Sequence, residues 1–201
     1  MHVPTSLGGV SAQATPEAVL PLLTGRLGRP YRFVESCPST QRLIADDAPE
    51  GETAVADHQS EGRGRLGRDW QDTPGTSVLM SVCLRPRVEP SQLPQLTVVA
   101  AGAVADAIAA ETGLAPALKH PNDVLVDGRK VAGVLAEASE GRVVLGIGVN
   151  ANQTEEELPQ AERLPASSLR LEAGTEVDRA RLVAAILNRL GPAIDAWTSA
   201  S

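Results

Sequence analysis

The sequence contains 201 residues, of which 42% are hydrophobic, 21% are charged and only 2% are aromatic. This length and composition are typical of one globular domain and exclude a disordered or fibrous chain. The net charge is −7, from 18 basic and 25 acidic residues, so the chain lacks the basic surplus of a non-specific nucleic-acid binder.

The first half of the chain alternates helical and extended segments after a polar, aperiodic stretch over residues 1–15. Thr15 and Pro16 are typical of a helix start, and Ser39-Thr40 predicts a second start capped by a hydroxyl. Apolar residues at helical spacing predict a long helix that ends at Gly113. The predicted elements are helix 16–27, strand 31–35, helix 39–45, strand 53–56, strand 77–84 and helix 91–112.

The second half is dominated by a hairpin signal, Asp127-Gly128 between two apolar runs. Asp178 predicts the N-cap of a final helix, which Gly191-Pro192 would break or kink. The predicted elements are strand 115–119, hairpin strands 124–126 and 130–136, strand 143–149, an acidic loop over 150–168 and helix 178–190. This order predicts an α+β fold (an α/β mixed sheet) in one domain.

Three negative signals concern location. Cys37 and Cys83 have no CxxC or Cys/His ligand spacing, and the amino terminus lacks the pattern of a signal peptide. The longest apolar run, over residues 97–110, is interrupted by Asp106 and is shorter than the ~20 residues of a membrane span. These signals predict a soluble, reduced, cytoplasmic protein with no membrane partner.

The segment 62–70 reads GRGRLGRDW and contains a G-x-G-x-x-G spacing. A dinucleotide fingerprint needs a helix opening on those glycines, whereas a turn-like stretch and a strand follow here. Arg63, Arg65 and Arg68 repel one another unless an anion lies among them, and arginine binds phosphate and carboxylate bidentately. Trp70 offers a flat face for a planar ring. We therefore expect an anionic ligand, with a solvated basic turn as the alternative.

Two further segments, 119–133 and 146–150, place polar residues at strand ends. Lys119 ends a strand, where a lysine can neutralise charge on a phosphoryl oxygen. The alternative to a functional role is that Asn122-Asp123 only forms a turn and that Lys130 is a solvated hairpin residue. Gly133 and the glycines of GIGVN, 146–150, suggest strand backbone that lies close to a ligand.

GRGRLGRDW, KHPND at 119–123, GRKVAG at 128–133 and GIGVN, in this order, resemble the biotin protein ligases. The family also carries a Ser-Thr pair and a Gln upstream of the arginine loop, here Ser39-Thr40 and Gln59. The resemblance spans roughly residues 31–197. It implies a class II aminoacyl-tRNA synthetase-like fold, that of the biotin–lipoate ligase catalytic domain, over 31–201, preceded by an N-terminal extension with a short helix over 1–30.

The resemblance also implies a two-step reaction. Biotin and ATP, with Mg²⁺, give biotinyl-5′-AMP and pyrophosphate, and the biotinyl group then passes to a lysine of a biotin carboxyl carrier protein, a subunit of acetyl-CoA carboxylase. The resemblance implies biotin contacts for Ser39, Thr40, Gln59, Gly62, Arg63, Lys119, Gly133 and Gly148, nucleotide contacts for Arg65, Arg68, Trp70, Asn122 and Asn150, and catalytic roles for Lys119 and Arg65. The metal ligands stay unassigned, and a homodimer stays open.

The sequence departs from the family pattern at several points. His120 replaces the usual Trp and Gln41 the common Asn, the latter a change we expect to concern only the helix start. The expected architecture also lacks the N-terminal helix-turn-helix and the C-terminal barrel of some members, so DNA binding is not expected.

Two alternatives stay open. One is a lipoate–protein ligase or the related octanoyl transferase, which would use Cys83 as a nucleophile although a core position is expected for it. The other is a non-catalytic module that binds biotin or a nucleotide.

Overall fold

The computed structural model describes residues 13–139, 141–159 and 164–200. Most of the predicted polar amino-terminal stretch and part of the acidic loop therefore lie outside the described residues. The 30/31 boundary stays a prediction, although Val19 and Leu27 on its amino-terminal side belong to the main hydrophobic core.

A seven-stranded sheet organises the molecule in the order β1-β2-β3-β7-β6-β5-β4. The β1 and β2 strands are parallel and all other neighbours are antiparallel, so the predicted mixed sheet is confirmed. The strands are β1 Tyr31–Cys37, β2 Thr53–Gln59, β3 Ser77–Leu84, β4 Ala117–Lys119, β5 Asp123–Val126, β6 Arg129–Ser139 and β7 Arg142–Asn150.

The helices are α1 Pro16–Val19, α2 Leu93–Thr112, α3 Leu169–Ala173 and α4 Arg179–Ser199, with short 3₁₀ helices at Leu20–Leu22, Thr40–Leu43, Arg65–Gly67, Pro90–Gln92 and Glu155–Glu157. The predicted ends of α2 are close to those observed, and Gly113 ends it with a left-handed φ of 72°. Asp178 caps α4 as predicted, by accepting a hydrogen bond from the Arg181 amide.

Three predicted helices were wrong in extent. The first helix is shorter, because it passes into a 3₁₀ turn and ends at Leu22. The second start gives only the 3₁₀ helix Thr40–Leu43, and the Ser39 hydroxyl does not cap it. Helix α4 continues through Pro192, since Leu190 and Ile194 are buried in the core and their packing offsets a proline cost of about 3 kcal/mol.

The long helices α2 and α4 pack against each other and cover one face of the sheet with the main core. The stretch Pro90–Thr112 is long and apolar enough to cross a membrane, but Leu96, Val104 and Ile108 are fully buried inside the domain. A smaller cluster, with Ile44 and Val144, lies apart from the main core. Gly146 and Gly148 share the face of Val144, because residues two apart on a strand point the same way.

Candidate functional site

Three strand glycines form the floor of a cavity. Gly133 and Gly148 are paired across β6 and β7, and Gly146 lies two residues before Gly148. A Cβ atom at Gly148 would lie 2.6 Å from the Trp70 ring, and one at Gly146 would lie 3.2 Å from Cδ of Gln41. The glycines therefore lie where backbone approach was predicted, but Trp70 and Gln41 occupy the adjoining space in this structure.

One end of the cavity carries neutral hydrogen-bonding groups. The Gln59 Oε1 atom accepts hydrogen bonds from the Thr40 amide at 2.6 Å and from the Thr40 hydroxyl at 3.0 Å. The Thr40 hydroxyl also lies 2.8 Å from that of Ser81, and Ser39 is buried beside it. These bonds fix the Gln59 amide so that its Nε2 donor faces away from Thr40.

Gln41 is a lining residue that the sequence did not reveal. Its side chain is buried and its Nε2 atom has no hydrogen-bond partner among the described residues. The expectation that this position concerns only a helix start was wrong, because the 3₁₀ turn directs the side chain onto Gly146. In the sequence, the signal for open space beside Gln41 is the pair of strand glycines, Gly146 and Gly148.

The arginine loop is a closed hairpin. The Trp70 amide donates to the Gly62 carbonyl at 2.9 Å, and the Gly64 amide donates to the Arg68 carbonyl at 2.7 Å. A Cβ atom at Gly62 would lie 2.5 Å from the Trp70 carbonyl oxygen, so only glycine fits. The loop exit is fixed by Asp72, whose fully buried carboxylate accepts a hydrogen bond from the backbone amide of Gln59 and contacts the ring of His58.

The three loop guanidinium groups have separate partners and do not converge. Arg63 pairs with Glu137 at 2.8 Å, and Arg65 donates to the Asn122 side chain at 3.2 Å. The Arg68 Nε donates to the Arg65 carbonyl at 3.1 Å. This separation lowers the repulsion between the cations, and all three arginines contribute to the lining of the cavity.

The opposite end of the cavity carries Lys130, for which the sequence left a solvated position open. Its ammonium lies 2.6 Å from the Asp123 carboxylate and 5.6 Å from the centre of the Trp70 ring. The side chain is only 25% exposed. A register shift between Val124 and Leu125 inserts an extra residue into β6 and brings the Lys130 tail over Gly133.

Lys119, by contrast, lies on the edge strand β4 and is exposed. It is absent from the described residues that line the cavity or the two neighbouring clefts. The structure therefore does not bring the predicted catalytic lysine to the predicted biotin and nucleotide residues.

Both predicted asparagines make structural hydrogen bonds. Asn122 is buried, donates to the Val134 carbonyl at 3.2 Å and accepts from Arg65, so it ties the loop to β6. The Asn150 amide donates to the Ser167 carbonyl at 3.0 Å and is 4% exposed. Asn150 also lines a cleft beyond Lys130, where Pro159, Leu164 and Ala166 add an apolar wall.

The cavity is small and adjoins a larger cleft. Its volume is about 100 Å³, against about 630 Å³ for the cleft beside Asn150. Sites for small molecules span roughly 300–1,000 Å³. Trp70 lines both spaces, so its movement would join them into one site.

The two cysteines are poor nucleophiles. Cys83 is fully buried, Cys37 is nearly so, and both thiols are free. Burial raises the pKa of both thiols above the usual value, which disfavours the reactive thiolate. The Cys83 side chain faces the Ala48 carbonyl, so the core position expected for it agrees with the structure.

Comparison with known proteins gives consistent matches. The model of the biotin/lipoate A/B protein ligase family matches residues 33–153. A bifunctional ligase/repressor BirA of Bacillus spizizenii is 39% identical over 83% of this chain and 54% of its own length. A biotin–[acetyl-CoA-carboxylase] ligase of Mycobacterium tuberculosis is 38% identical over 76% of this chain and 57% of its own.

Among solved structures, the biotin protein ligase of Aquifex aeolicus in complex with biotin and ATP superposes with a TM-score of 0.76. It is 34% identical, over 84% of this chain and 72% of that one. The fold implied by the sequence resemblance is thereby confirmed. The chain spans about half the length of the curated relatives it matches.

Proposed function

Because the chain belongs to the biotin/lipoate A/B protein ligase family, we propose that it joins biotin to AMP and then transfers the biotinyl group to a carrier-protein lysine. The relatives named above are ligases, and one solved neighbour holds biotin and ATP. The proposal is tested against two alternatives: that the chain uses lipoate instead of biotin, and that it binds biotin or a nucleotide without catalysis.

One observation carries the proposal: the cavity is neutral and hydrogen-bonding at one end and cationic at the other. Thr40 and Gln59 suit the ureido group, a neutral donor and acceptor. Lys130 and Arg65 suit a carboxylate and the phosphates that it meets. A linear molecule with an uncharged ring and a terminal carboxylate matches both ends.

In the first step, a biotin carboxylate oxygen attacks the α-phosphorus of ATP. The bond from that phosphorus to the bridging oxygen breaks, and pyrophosphate leaves with the electron pair. Negative charge concentrates on the α-phosphoryl oxygens, where we place the Lys130 ammonium. The protein contributes mainly position and charge to such a step.

In the second step, a neutral lysine amine of the carrier attacks the acyl carbon of the mixed anhydride, and AMP leaves. Until then the anhydride must be kept from water. Closure of the 62–70 loop over the cavity would exclude water, with Arg65 and Arg68 on the phosphate. We propose a biotin carboxyl carrier domain as the acceptor; the predicted absence of DNA binding, the open homodimer and the cytoplasmic location stay predictions.

We propose that Mg²⁺ accompanies the nucleotide phosphates. No group of three or more His, Cys, Asp or Glu side chains that could hold a metal occurs within the described part of the chain. Mg²⁺ in nucleotide sites often needs only one or two carboxylates beside phosphate oxygens and waters. Asp69 and Asp123 line the cleft beside Lys130 and could supply them, and the ion would neutralise phosphate charge there.

The test incubates the chain with ATP, Mg²⁺, an acceptor carrier domain and either biotin or lipoate, and measures acceptor mass. We expect a biotinyl gain. A lipoyl gain alone would replace biotin by lipoate in the proposal. Absence of biotin-dependent ATP–pyrophosphate exchange, with biotin binding intact, would favour the binding-only module.

Replacement of Gln59 by Leu should weaken biotin binding. The variant loses the Nε2 donor and leaves the Thr40 amide and hydroxyl without their acceptor. We expect the Kd for biotin to rise about 10- to 100-fold, or about 1.4–2.8 kcal/mol. Isothermal titration calorimetry measures this, with Gln95→Leu on the exposed side of α2 as the matched control; equal affinity in both variants would contradict the role.

Trp70 should report ligand entry by fluorescence. The chain has two tryptophans, so a Trp197→Phe variant emits from Trp70 alone. Its indole Nε1 is buried on the glycine floor, and a ligand there must displace it, so the emission should shift to longer wavelength when biotin and ATP are added. A Trp70→Phe variant, which retains Trp197, should not respond; an unchanged Trp70 spectrum at saturating ligand would contradict the displacement.

A further inference from the structure

The backbone on both sides of Lys130 is held by a segment outside its own sheet. The Lys130 amide donates to the Pro165 carbonyl at 2.8 Å, and the Ser167 amide donates to the Lys130 carbonyl at 2.9 Å. These bonds form a parallel bridge centred on Ala166. Segment 165–167 therefore sets the position of the Lys130 backbone from which the ammonium reaches the cavity.

Segment 165–167 is itself held by the buried side-chain amide of Asn150, which a second buried side-chain amide, that of Gln153, contacts in turn. Asn150 donates through Nδ2 to the Ser167 carbonyl at 3.0 Å. Gln153 donates through Nε2 to the Ser77 hydroxyl at 2.6 Å and is directed at the Asn150 Oδ1 at 3.4 Å. Because Gln153 offers a donor to Oδ1, the Asn150 amide is oriented with its own donor toward Ser167.

The burial of Gln153 is costly for the fold. The residue is 1% exposed, and its Oε1 atom has no hydrogen-bond partner within the described ranges. A buried polar atom without a partner costs about 1–3 kcal/mol, which an apolar side chain of similar size would avoid. A role in stability alone therefore accounts poorly for a glutamine at this position.

We propose that Gln153 is a positioning residue for adenylate formation, acting through Asn150 and Ser167 on Lys130. The inference rests on the proposed function, since it needs Lys130 at the phosphate. A lysine displaced by about 1 Å loses much of its effect on the transition state and less of its effect on substrate binding, with losses up to about 100-fold.

The test compares Gln153→Met, of similar length but without the amide, with Thr53→Val. Thr53 is also fully buried and loses one hydrogen bond, to Gly51, at the opposite end of β2 from Gln59. In biotin-dependent ATP–pyrophosphate exchange we expect kcat to fall about tenfold or more in Gln153→Met, with KM for biotin and ATP within about twofold. Thr53→Val should have the kcat of the unmodified chain once the measured rate is corrected for the fraction of protein that is folded.

A second arm does not depend on activity. Hydrogen exchange measured by NMR should become faster at the Lys130 and Ser167 amides in Gln153→Met and stay unchanged at both in Thr53→Val. If Gln153→Met does not fold, Ser77→Ala, which removes only the hydroxyl acceptor of Gln153, should show the same changes at smaller size.

The outcomes separate the two proposals. An unmodified chain that forms no adenylate would overturn the proposed function, while the exchange data would still test the hydrogen-bond network. Wild-type kcat in Gln153→Met, or a raised KM for ATP with kcat intact, would overturn the positioning role. Unchanged exchange at Lys130 and Ser167 would overturn the network.

Discussion

Lys130→Met should abolish most adenylate formation, with kcat for biotin-dependent ATP–pyrophosphate exchange reduced about 100- to 1,000-fold. The ammonium is the cation that the fold holds over Gly133, between the Asp123 carboxylate and the Trp70 ring. Methionine keeps the unbranched apolar chain and removes the charge. The loss should lie in kcat more than in the KM for biotin, because charge grows on the phosphoryl oxygens only as the reaction proceeds.

The matched control is Lys119→Met, the same substitution on the exposed edge strand β4. We expect its kcat to stay within about twofold of the unmodified chain, because Lys119 is exposed and is not among the described residues that line the cavity or its neighbouring clefts. Lys130→Met also leaves the Asp123 carboxylate without its ion-pair partner. An Asp123→Asn variant separates the two effects, because it breaks the ion pair but keeps the Lys130 ammonium. An inactive Lys119→Met beside an active Lys130→Met would restore Lys119 to the catalytic role implied by the sequence resemblance.

Lys130 lies over the glycine floor, and Lys119 does not, because of a backbone feature that the sequence does not display. Asp127-Gly128 correctly predicted a tight hairpin, and both residues have the positive φ that such a turn requires. The bulge between Val124 and Leu125 has no comparable signature, yet it decides which side chains share a face. Regular alternation would put Lys130 and Gly133 on opposite faces, whereas the bulge brings them together.

Local signals predicted elements well where the physical cause was local. Gly113 ends α2 in a left-handed conformation, and Asp178 caps α4, because each effect depends on a few neighbouring residues. The continuation of α4 through Pro192 depends on tertiary packing, which the sequence does not display.

The candidate site likewise has some features with local causes and others that depend on tertiary packing. The residue types of the arginine loop indicated an anionic ligand, and Thr40 and Gln59 do lie together at one end of the cavity. The burial of Gln41 and the position of Trp70 over Gly148 depend on contacts between segments far apart in the chain. Spacing within a motif carries no information about such contacts.

Replacement of Arg65 by Ala should shorten the lifetime of the bound adenylate. Arg65 lines the cavity and is tied through Asn122 to β6, so it connects the loop tip to the sheet. A charge-assisted hydrogen bond to a phosphate contributes about 1.5–3 kcal/mol, so its loss should raise the dissociation rate of biotinyl-5′-AMP about 10- to 100-fold. Biotin affinity should change much less, because Thr40 and Gln59 lie at the other end of the cavity.

Stopped-flow chase of preformed biotinyl-5′-AMP with excess unlabelled ligand measures the dissociation rate, and calorimetry measures biotin binding. Arg181→Ala is the matched control, since that exposed guanidinium lies on α4, outside the residues that line the cavity, and pairs with Glu111 at 3.2 Å. Asn122→Ala should give an intermediate rate, because Arg65 keeps its charge but loses its link to the sheet. Equal dissociation rates in Arg65→Ala and Arg181→Ala would show that Arg65 does not retain the adenylate.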